Sequence, residues 1–341
     1  MLVIRPITSQ DLGALLRIAE ESGVGFTSLP VNEERLAAKI AHSEASFELS
    51  DAECDQGEQG YLLVMEDTHT GDVVGTTALE ARVGQADAFW HYKLGTAVHS
   101  SPALGVHKEL KTLTLCNDYS GVSELCTLFL SESHRQGFNG RLLSKCRFLF
   151  LAEFRERFAE TVIAEMRGVS DGSGVSPFWN WLQQHFFDME FPQADYLSGL
   201  GKKTFIAELM PRYPVYVDML PKAAQEVIGH VHAKTRPALK LLMAEGFRWR
   251  GYVDVFDAGP TVECDIDQIN AIRESERLEV AIGDASDGVQ TMIANTHLQQ
   301  FRCTLAQARH QKGDLVIDQD TADALGVKAG DWVRAIAFEK E

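Results

Sequence analysis

The chain has 341 residues, of which 32 are Lys or Arg and 49 are Asp or Glu, and its formal net charge is −17. Because nucleic-acid binding rests on clustered basic residues, a chain this acidic is not expected to have a nucleic-acid partner. No apolar run approaches the length of a membrane span, and residues 1–6 lack the pattern of a signal peptide, so we expect no membrane partner either.

Six cysteines are scattered along the chain, and no two of them form a Cys-x-x-Cys pair. Cys126 and Cys146 fall on faces that are predicted to be buried. This pattern is typical of reduced thiols rather than of disulfides or metal ligands. We therefore expect a cytoplasmic protein with no metal site.

The first part of the chain predicts a strand, two helices and a hairpin. Residues 2–6 are mostly apolar and predict the strand, and Ser9 and Asn32 are suited to cap the two helices. Residues 61–66 and 73–79 predict two further strands, and the polar turn between them predicts a hairpin.

The middle of the chain is centred on a strand, a loop and a helix. Residues 125–130 are a short apolar run that predicts a buried strand, whereas the aromatic, mixed residues 84–117 indicate only a short strand near their end. Gly137 and Gly140 supply flexible positions in the polar loop. A long helix is predicted next from apolar residues at steps of three and four, namely Leu143, Cys146, Phe150, Phe154 and Phe158.

This loop is suited to bind an anion, because free N–H groups and the positive end of the helix dipole meet there. It lacks the Gly-Lys-Ser/Thr of a P-loop and the third glycine of a dinucleotide-binding turn. Taken alone, the loop favours a simpler interpretation in which the glycines only shape a β–α turn.

The rest of the chain continues the alternation of strands and helices. Strands are predicted for residues 162–166, 204–209 and 247–256. Helices are predicted between them, and the last of these is capped by Thr235 and ends at Gly246. Beyond about residue 279 the pattern predicts a small β-rich module with a role in packing or assembly.

The loop at residues 135–140, Arg-Gln-Gly-Phe-Asn-Gly, resembles the pyrophosphate loop of the GCN5-related N-acyltransferases, which has the pattern Arg/Gln-x-x-Gly-x-Gly/Ala. Phe138 stands where that pattern has its first glycine. The resemblance implies that main-chain groups near Leu128, on the preceding strand, pair with the pantetheine amides of coenzyme A. It also implies a set of residues that holds the pyrophosphate: Arg135, Gly137, Asn139 and Gly140.

The resemblance and the order of elements predict an α+β fold. We expect an acyl-CoA N-acyltransferase-like mixed sheet flanked by helices, with a small β-rich C-terminal module. The expected domains are residues 1–280 for the acyltransferase-like part and residues 281–341 for the module.

A second resemblance is more specific and covers most of the chain up to about residue 280. Several blocks are similar to the arginine N-succinyltransferase family: residues 27–30, 123–130, 165–168, 176–179, 205–211, 227–232 and 254–260. This resemblance implies transfer of the succinyl group of succinyl-CoA to the α-amino group of L-arginine, the first step of an arginine-degradation route. Succinyl-CoA is then a co-substrate, no cofactor is bound, and the chain forms a homo- or hetero-oligomer with a similar subunit.

Two other functions remain open at this point. The chain would be a non-catalytic partner subunit of a heteromeric arginine/ornithine succinyltransferase if Phe138 prevents the loop from binding coenzyme A. It would act on a different amine or acyl group if the acyl pocket differs, because nothing in the sequence defines that pocket.

His230 and His232 lie in a loop between two predicted helices, where an imidazole can transfer a proton near neutral pH. A loop histidine is more often solvated than catalytic, but the family resemblance assigns a proton donor to the first residue of the His-x-x-Thr pattern, which is His232. Asp118, Glu124 and Glu165 are carboxylates expected near the same cleft, and the sequence assigns no role to them.

Overall fold

The computed structural model describes residues 1–23, 26–50, 54, 57–171, 174–201, 204–311 and 313–338. The strands within these residues are β1 (Leu2–Pro6), β2 (Gly60–Asp67), β3 (Asp72–Glu80), β4 (His91–Ser101), β5 (Val106–Cys116), β6 (Ser123–Leu130), β7 (Thr161–Glu165), β8 (Val215–Tyr216), β9 (Arg248–Asp254), β10 (Pro260–Asp265), β11 (Glu276–Ile282), β12 (Val289–Asn295), β13 (Cys303–Gln311), β14 (Asp314–Ile317) and β15 (Trp332–Ala337). The helices are α1 (Leu12–Ser22), α2 (Glu33–Glu48), α3 (Asn139–Glu153), α4 (Pro177–Phe186), α5 (Phe191–Gly199), α6 (Thr204–Leu209), α7 (Lys222–Val227), α8 (Arg236–Ala244), α9 (Asn270–Glu274) and α10 (Gln319–Leu325). None of these described helices is both long and apolar enough to cross a membrane.

The strands form one mixed sheet in the order β12-β15-β11-β14-β13-β1-β2-β3-β6-β7-β10-β9-β4-β5-β8. Alternate residues of β2 enter different hydrophobic clusters, because successive side chains of a strand point to opposite faces. Leu62 and Val64 pack with α1 and α2, whereas Leu63 and Met65 pack with α3 on the other face. The α+β fold with a helix-flanked mixed sheet is therefore confirmed.

The β-rich C-terminal region is a small closed barrel. Strand β12 pairs with both β13 and β15, so that β11, β14, β13, β12 and β15 form a ring of five strands. Its interior is filled by aliphatic side chains such as Ile293, Leu315 and Val333, and α10 contributes Leu325. Strand β13 also pairs with β1, which joins the barrel to the rest of the sheet.

Two predicted elements differ from the structure, and one hairpin was not predicted. Residues 204–209 form helix α6 and not a strand, because a six-residue apolar run does not distinguish the two periodicities. Helix α3 ends at Glu153, so Phe154 and Phe158 lie outside it. Both rings still pack on the ring of Phe150. The helix-like spacing of these two residues in the sequence therefore reflects burial in the core and not a longer helix. The eleven-residue strands β4 and β5 form a hairpin that the sequence did not predict, because its outer half is exposed and lacks an alternating pattern.

Candidate functional site

The parallel strands β6 and β7 separate almost at once. Ser123 and Glu124 pair with Val162 and Ile163, and no further pairing of the two strands is present among the described residues. Strand β6 continues well past this point, so the edge that faces β7 keeps N–H and C=O groups that an extended ligand can bind. The half-buried Leu128 lies in this open stretch, as the resemblance implied for a pantetheine-binding strand.

A bulge redirects β6 inside the open stretch. Thr76 of β3 pairs with Phe129 and Ala78 pairs with Cys126, so a single residue of β3 faces both Thr127 and Leu128. Thr127 has φ +56°, a left-handed conformation that is unusual for a β-branched residue. Bulges of this kind change the direction of a strand and often occur next to functional sites.

The predicted anion-binding loop follows β6 directly and leads into α3. Gly137 has φ +54°, which favours glycine, whereas Gly140 lies in the first turn of α3 with ordinary backbone angles. A Cβ on Gly140 would meet only a Leu130 methyl carbon at 4.0 Å. Packing within the protein therefore does not require glycine at position 140.

Two polar side chains form hydrogen bonds to main-chain carbonyl groups that stabilise the loop. Arg135 donates through Nε to the carbonyl of Leu130 at 2.7 Å, and Asn139 donates through Nδ2 to the carbonyl of His134 at 2.9 Å. The structure thus brings together Arg135, Gly137, Asn139 and Gly140 in one turn at the N-terminus of α3. The first N–H groups of a helix have no partner within the helix, so this turn offers donors to an anion.

Phe138 has a packing partner in the C-terminal barrel. Its ring contacts the ring of Phe338 edge to face, with 5.5 Å between the centroids, and the guanidinium of Arg141 lies 4.6 Å from the Phe338 ring centre. The aromatic residue in place of the expected glycine therefore joins the loop to the barrel.

His232 lies beside the end of β7. Its N–H donates to the carbonyl of Arg167 at 2.9 Å, and its ring atom Nδ1 accepts the N–H of Lys234 at 3.2 Å. Partial burial, together with the charges of Arg167 and Lys234, lowers the pKa of His232 below its usual value. The ring is therefore neutral near pH 7, and because Nδ1 is an acceptor its hydrogen is on Nε2. His230 is exposed.

An acidic cavity of about 380 Å³ lies between α2, α5 and the ends of β3, β6 and β7. Its lining includes Glu58, Glu80, Asp87, Glu124 and Glu165 against the cations Arg35, Lys39 and Arg82. Glu80 and Glu124 are directly opposite each other on β3 and β6, and Lys39 pairs with Glu80 at 3.3 Å. Burial lowers the pKa of Lys39, but the charges of Glu80 and Glu124 more than offset this and raise it, so the lysine interacts with both carboxylates.

Glu165, the last residue of β7, also belongs to the acidic lining of the cavity. The fully buried His91 has Nε2 2.9 Å from Oε1 of Glu165, and its ring lies against Tyr119 and Phe89. Asp118 is outside the lining of this cavity and instead accepts the hydroxyl of Tyr252 at 2.9 Å. Of the three carboxylates that the sequence suggested, the structure thus brings Glu124 and Glu165 to the cavity.

Glu80, Lys39 and His91 were missed by the sequence analysis. No local pattern distinguishes them, because their proximity depends on strand register and on the packing of α2 over the sheet. Among the described residues, no group of three or more His, Cys, Asp and Glu side chains has a metal-binding arrangement.

An open β6 edge, a glycine-containing loop at a helix N-terminus and a neighbouring cavity are the parts of an acyl-CoA N-acyltransferase fold, and the chain has this fold. A family model described as arginine N-succinyltransferase beta subunit matches residues 2–271. A model of the C-terminal domain of the same subunit matches residues 276–337. The chain belongs to the arginine N-succinyltransferase family.

Individual relatives agree with this assignment. The chain is 48% identical to arginine N-succinyltransferase subunit beta of Pseudomonas aeruginosa PAO1, over 100% of this chain and 99% of the relative. It is 49% identical to arginine N-succinyltransferase of Salmonella paratyphi B, over 98% and 97% of the two chains. A solved structure of arginine/ornithine succinyltransferase subunit AI from Pseudomonas aeruginosa superimposes with a TM-score of 0.91 at 38% identity, over 100% and 99% of the two chains.

Proposed function

We propose that this chain transfers the succinyl group of succinyl-CoA to the α-amino group of L-arginine, giving N2-succinyl-L-arginine and CoA. The observation that carries the proposal is the acidic cavity, which opens where β6 and β7 separate. A cationic amino acid in that cavity and a thioester along β6 would meet at the same place. Holding both reactants there replaces a bimolecular encounter by reaction within one complex.

Succinyl-CoA binds along β6 and the loop in this proposal. Main-chain groups near Leu128 pair with the pantetheine amides, and the turn formed by Arg135, Gly137, Asn139 and Gly140 holds the pyrophosphate. The open strand edge and the helix N-terminus support this placement, because one offers both donors and acceptors and the other offers donors to an anion.

L-Arginine binds in the acidic cavity with its guanidinium near Glu80 and Glu124. These two side chains lie directly opposite each other on neighbouring strands, and both line the cavity. Glu165 is two residues beyond the level of Glu124 along the parallel pair, or about 7 Å at the usual strand rise. This separation is of the order of an extended arginine side chain, so the α-amino group comes to lie near Glu165.

His232 donates a hydrogen bond from Nε2–H to the departing thiolate and keeps this proton. Its neutral ring offers Nε2–H, because Nδ1 already accepts a backbone N–H. The interaction strengthens only as negative charge develops on sulfur, and such interactions increase turnover rather than substrate binding.

The proposal is tested by mixing the purified chain alone with succinyl-CoA and L-arginine and measuring thiol release together with the mass of the product. Acetyl-CoA, glutaryl-CoA and L-ornithine are run in parallel to define the acyl and amine preferences. Succinylarginine formation by the chain alone supports the proposal. If succinylarginine forms only after a similar subunit is added, the chain is a non-catalytic partner subunit, which is the alternative suggested by Phe138.

We also propose that the protein assembles with a similar subunit. A relative is named as a subunit, and the β4–β5 hairpin carries exposed apolar side chains, with Val98, Leu104 and Val106 at 56%, 78% and 41% exposure. Light scattering on the intact chain and on a Leu104→Asp variant tests this, because a charge at a packed contact should shift the mass toward the monomer.

A reducing compartment, the cytoplasm, is proposed as its location. All six cysteines are free thiols, and Cys146 and Cys303 are fully buried in the main core. Burial raises the pKa of Cys146 to about 12, so this thiol remains protonated and unreactive.

A further inference from the structure

One buried carboxyl group joins the loops at the end of β7. Asp257, in the turn between β9 and β10, is 6% exposed. Its Oδ2 accepts the N–H of Gly168 at 2.6 Å, and its Oδ1 accepts the N–H of Gly259 at 2.8 Å. The carboxyl group therefore links its own turn to the segment that leaves β7.

That segment in turn holds the backbone of His232. Gly168 forms an antiparallel bridge with Val231, and the carbonyl of Arg167 accepts the N–H of His232 at 2.9 Å. The peptide group that binds Asp257 is thus the one that connects Arg167 and Gly168, which contact the two residues of the histidine loop. A displacement of this peptide moves His232 with it.

Close backbone packing leaves these segments little freedom. A Cβ on Gly259 would lie 2.1 Å from the carbonyl oxygen of Met166, and a Cβ on Gly168 would lie 2.6 Å from Asp257. Real Cβ atoms do not approach other atoms this closely, so the two glycines permit a contact that other residues would prevent. The N–H of Gly229, in the histidine loop, adds a bond to the carbonyl of Ala258 at 2.8 Å.

Burying the Asp257 carboxyl group has a cost in free energy. Burial, followed by the charge of Asp254, raises the pKa of Asp257 well above its ordinary range, and the two N–H bonds only partly offset this. No Lys or Arg pairs with Asp257 within the described part of the chain. A buried carboxyl without a counter-ion is costly, which points to a role in geometry.

We propose that Asp257 is a positioning residue for His232: by fixing the peptide between Arg167 and Gly168 it sets the place of the imidazole at the open edge of β6. The inference rests on the proposed role of His232 in succinyl transfer. Asp257 itself touches neither substrate.

The test is Asp257→Asn, which keeps the size of the side chain but places an NH2 group against one of the two backbone N–H donors. We expect kcat to fall on the order of 10²-fold, the cost of a misplaced catalytic group, with both KM values within about twofold. In a His232→Ala background the same change should lower kcat by less than about twofold, because coupled residues are not additive.

Asp11→Asn is the matched control. Asp11 is 8% exposed and also accepts a backbone N–H, that of Thr8 at 2.8 Å, but it pairs with Arg5 near β1 and away from β7. This variant loses a buried carboxylate and should keep kcat. Gly168→Ala is the second variant. It places a methyl group in steric conflict with Asp257 without altering charge, and it should reproduce the kcat loss.

Amide hydrogen exchange provides a readout that does not need activity. The N–H groups of Gly168 and His232 should exchange faster in Asp257→Asn than in the wild type, while those of β1 and β2 should not change. Unchanged exchange at these two amides, full kcat in the folded variant, or an equal loss in the His232→Ala background would each overturn the inference. An inactive wild type would instead reject the proposed function, and the exchange data would still decide whether Asp257 positions the loop.

Discussion

Replacing Glu124 by Gln should weaken arginine binding with only a small effect on stability. The side chain lines the cavity directly opposite Glu80, and Lys39 pairs with Glu80. Glutamine keeps the shape and one acceptor oxygen, so the variant removes mainly the charge. A hydrogen bond to a charged group contributes about 1.5–3 kcal/mol, and each 1.4 kcal/mol is about tenfold in affinity. We therefore expect the KM for L-arginine to rise roughly 10- to 100-fold.

The effect on stability should be small. Directly opposed like charges cost about 0.2–1 kcal/mol in a sheet, so the substitution removes a repulsion between Glu80 and Glu124. It also removes the attraction of Glu124 to Lys39, which acts in the opposite direction. The melting temperature should therefore change by no more than about 2 °C, since a large domain shifts little per kcal/mol.

The assay is thiol release, with L-arginine varied at saturating succinyl-CoA and succinyl-CoA varied at saturating L-arginine, alongside thermal melting. Glu109→Gln serves as the control, because Glu109 is exposed on strand β5 and the change removes the same unit of charge outside the cavity. The KM for succinyl-CoA should not change in either variant. An unchanged arginine KM in folded Glu124→Gln, or an equal increase of both KM values, would refute the assignment of the guanidinium to this cavity.

Four further outcomes are expected. Gly140→Asp should weaken succinyl-CoA binding in a folded protein, because a carboxylate would repel the pyrophosphate; equilibrium CoA binding measures this. His232→Ala should lower kcat on the order of 10²–10⁴-fold with little change in CoA affinity, and His230→Ala should be milder. Protonation of Nδ1 would remove the acceptor of the Lys234 N–H and so disturb the orientation of the ring, and the wild-type rate should therefore fall as pH drops through the lowered pKa of His232, a limb absent from His232→Ala. The mass of the denatured, unalkylated protein should not change on reduction, because all six cysteines are free thiols. A mass increase on reduction would show bridged cysteines and contradict this prediction.

The sequence could predict those parts of the fold and site that depend on neighbouring residues. The strand, loop and helix around Gly137 lie together in the chain, so their order defines the turn that brings Arg135 and Asn139 together. The parallel crossover from β6 through α3 to β7 follows from the same local order. The roles of these residues toward coenzyme A stay predictions, as does the domain division at residues 280 and 281.

The acidic cavity could not be predicted in the same way. Glu80 and Glu124 are 44 residues apart and meet only through the register in which β3 and β6 pair. A shift of one residue would turn Glu124 to the opposite face of the sheet. His91 begins β4, in a hairpin that the sequence did not indicate, so its contact with Glu165 had no local signal.

The end of β7 connects the residue proposed to lie near the attacking amine with the residue proposed to act on the leaving sulfur. Glu165 is its last residue and faces the cavity, while Arg167, two residues later, holds the backbone of His232 through its carbonyl. The carboxylate near the attacking amine and the imidazole near the leaving sulfur are therefore separated by a short, tightly packed stretch of chain. Two residues of extended backbone span about 7 Å, so their relative positions cannot change unless this stretch moves. The N–H bond from Gly168 to Asp257 restrains that motion, which is why a carboxyl group remote from both substrates is expected to affect kcat.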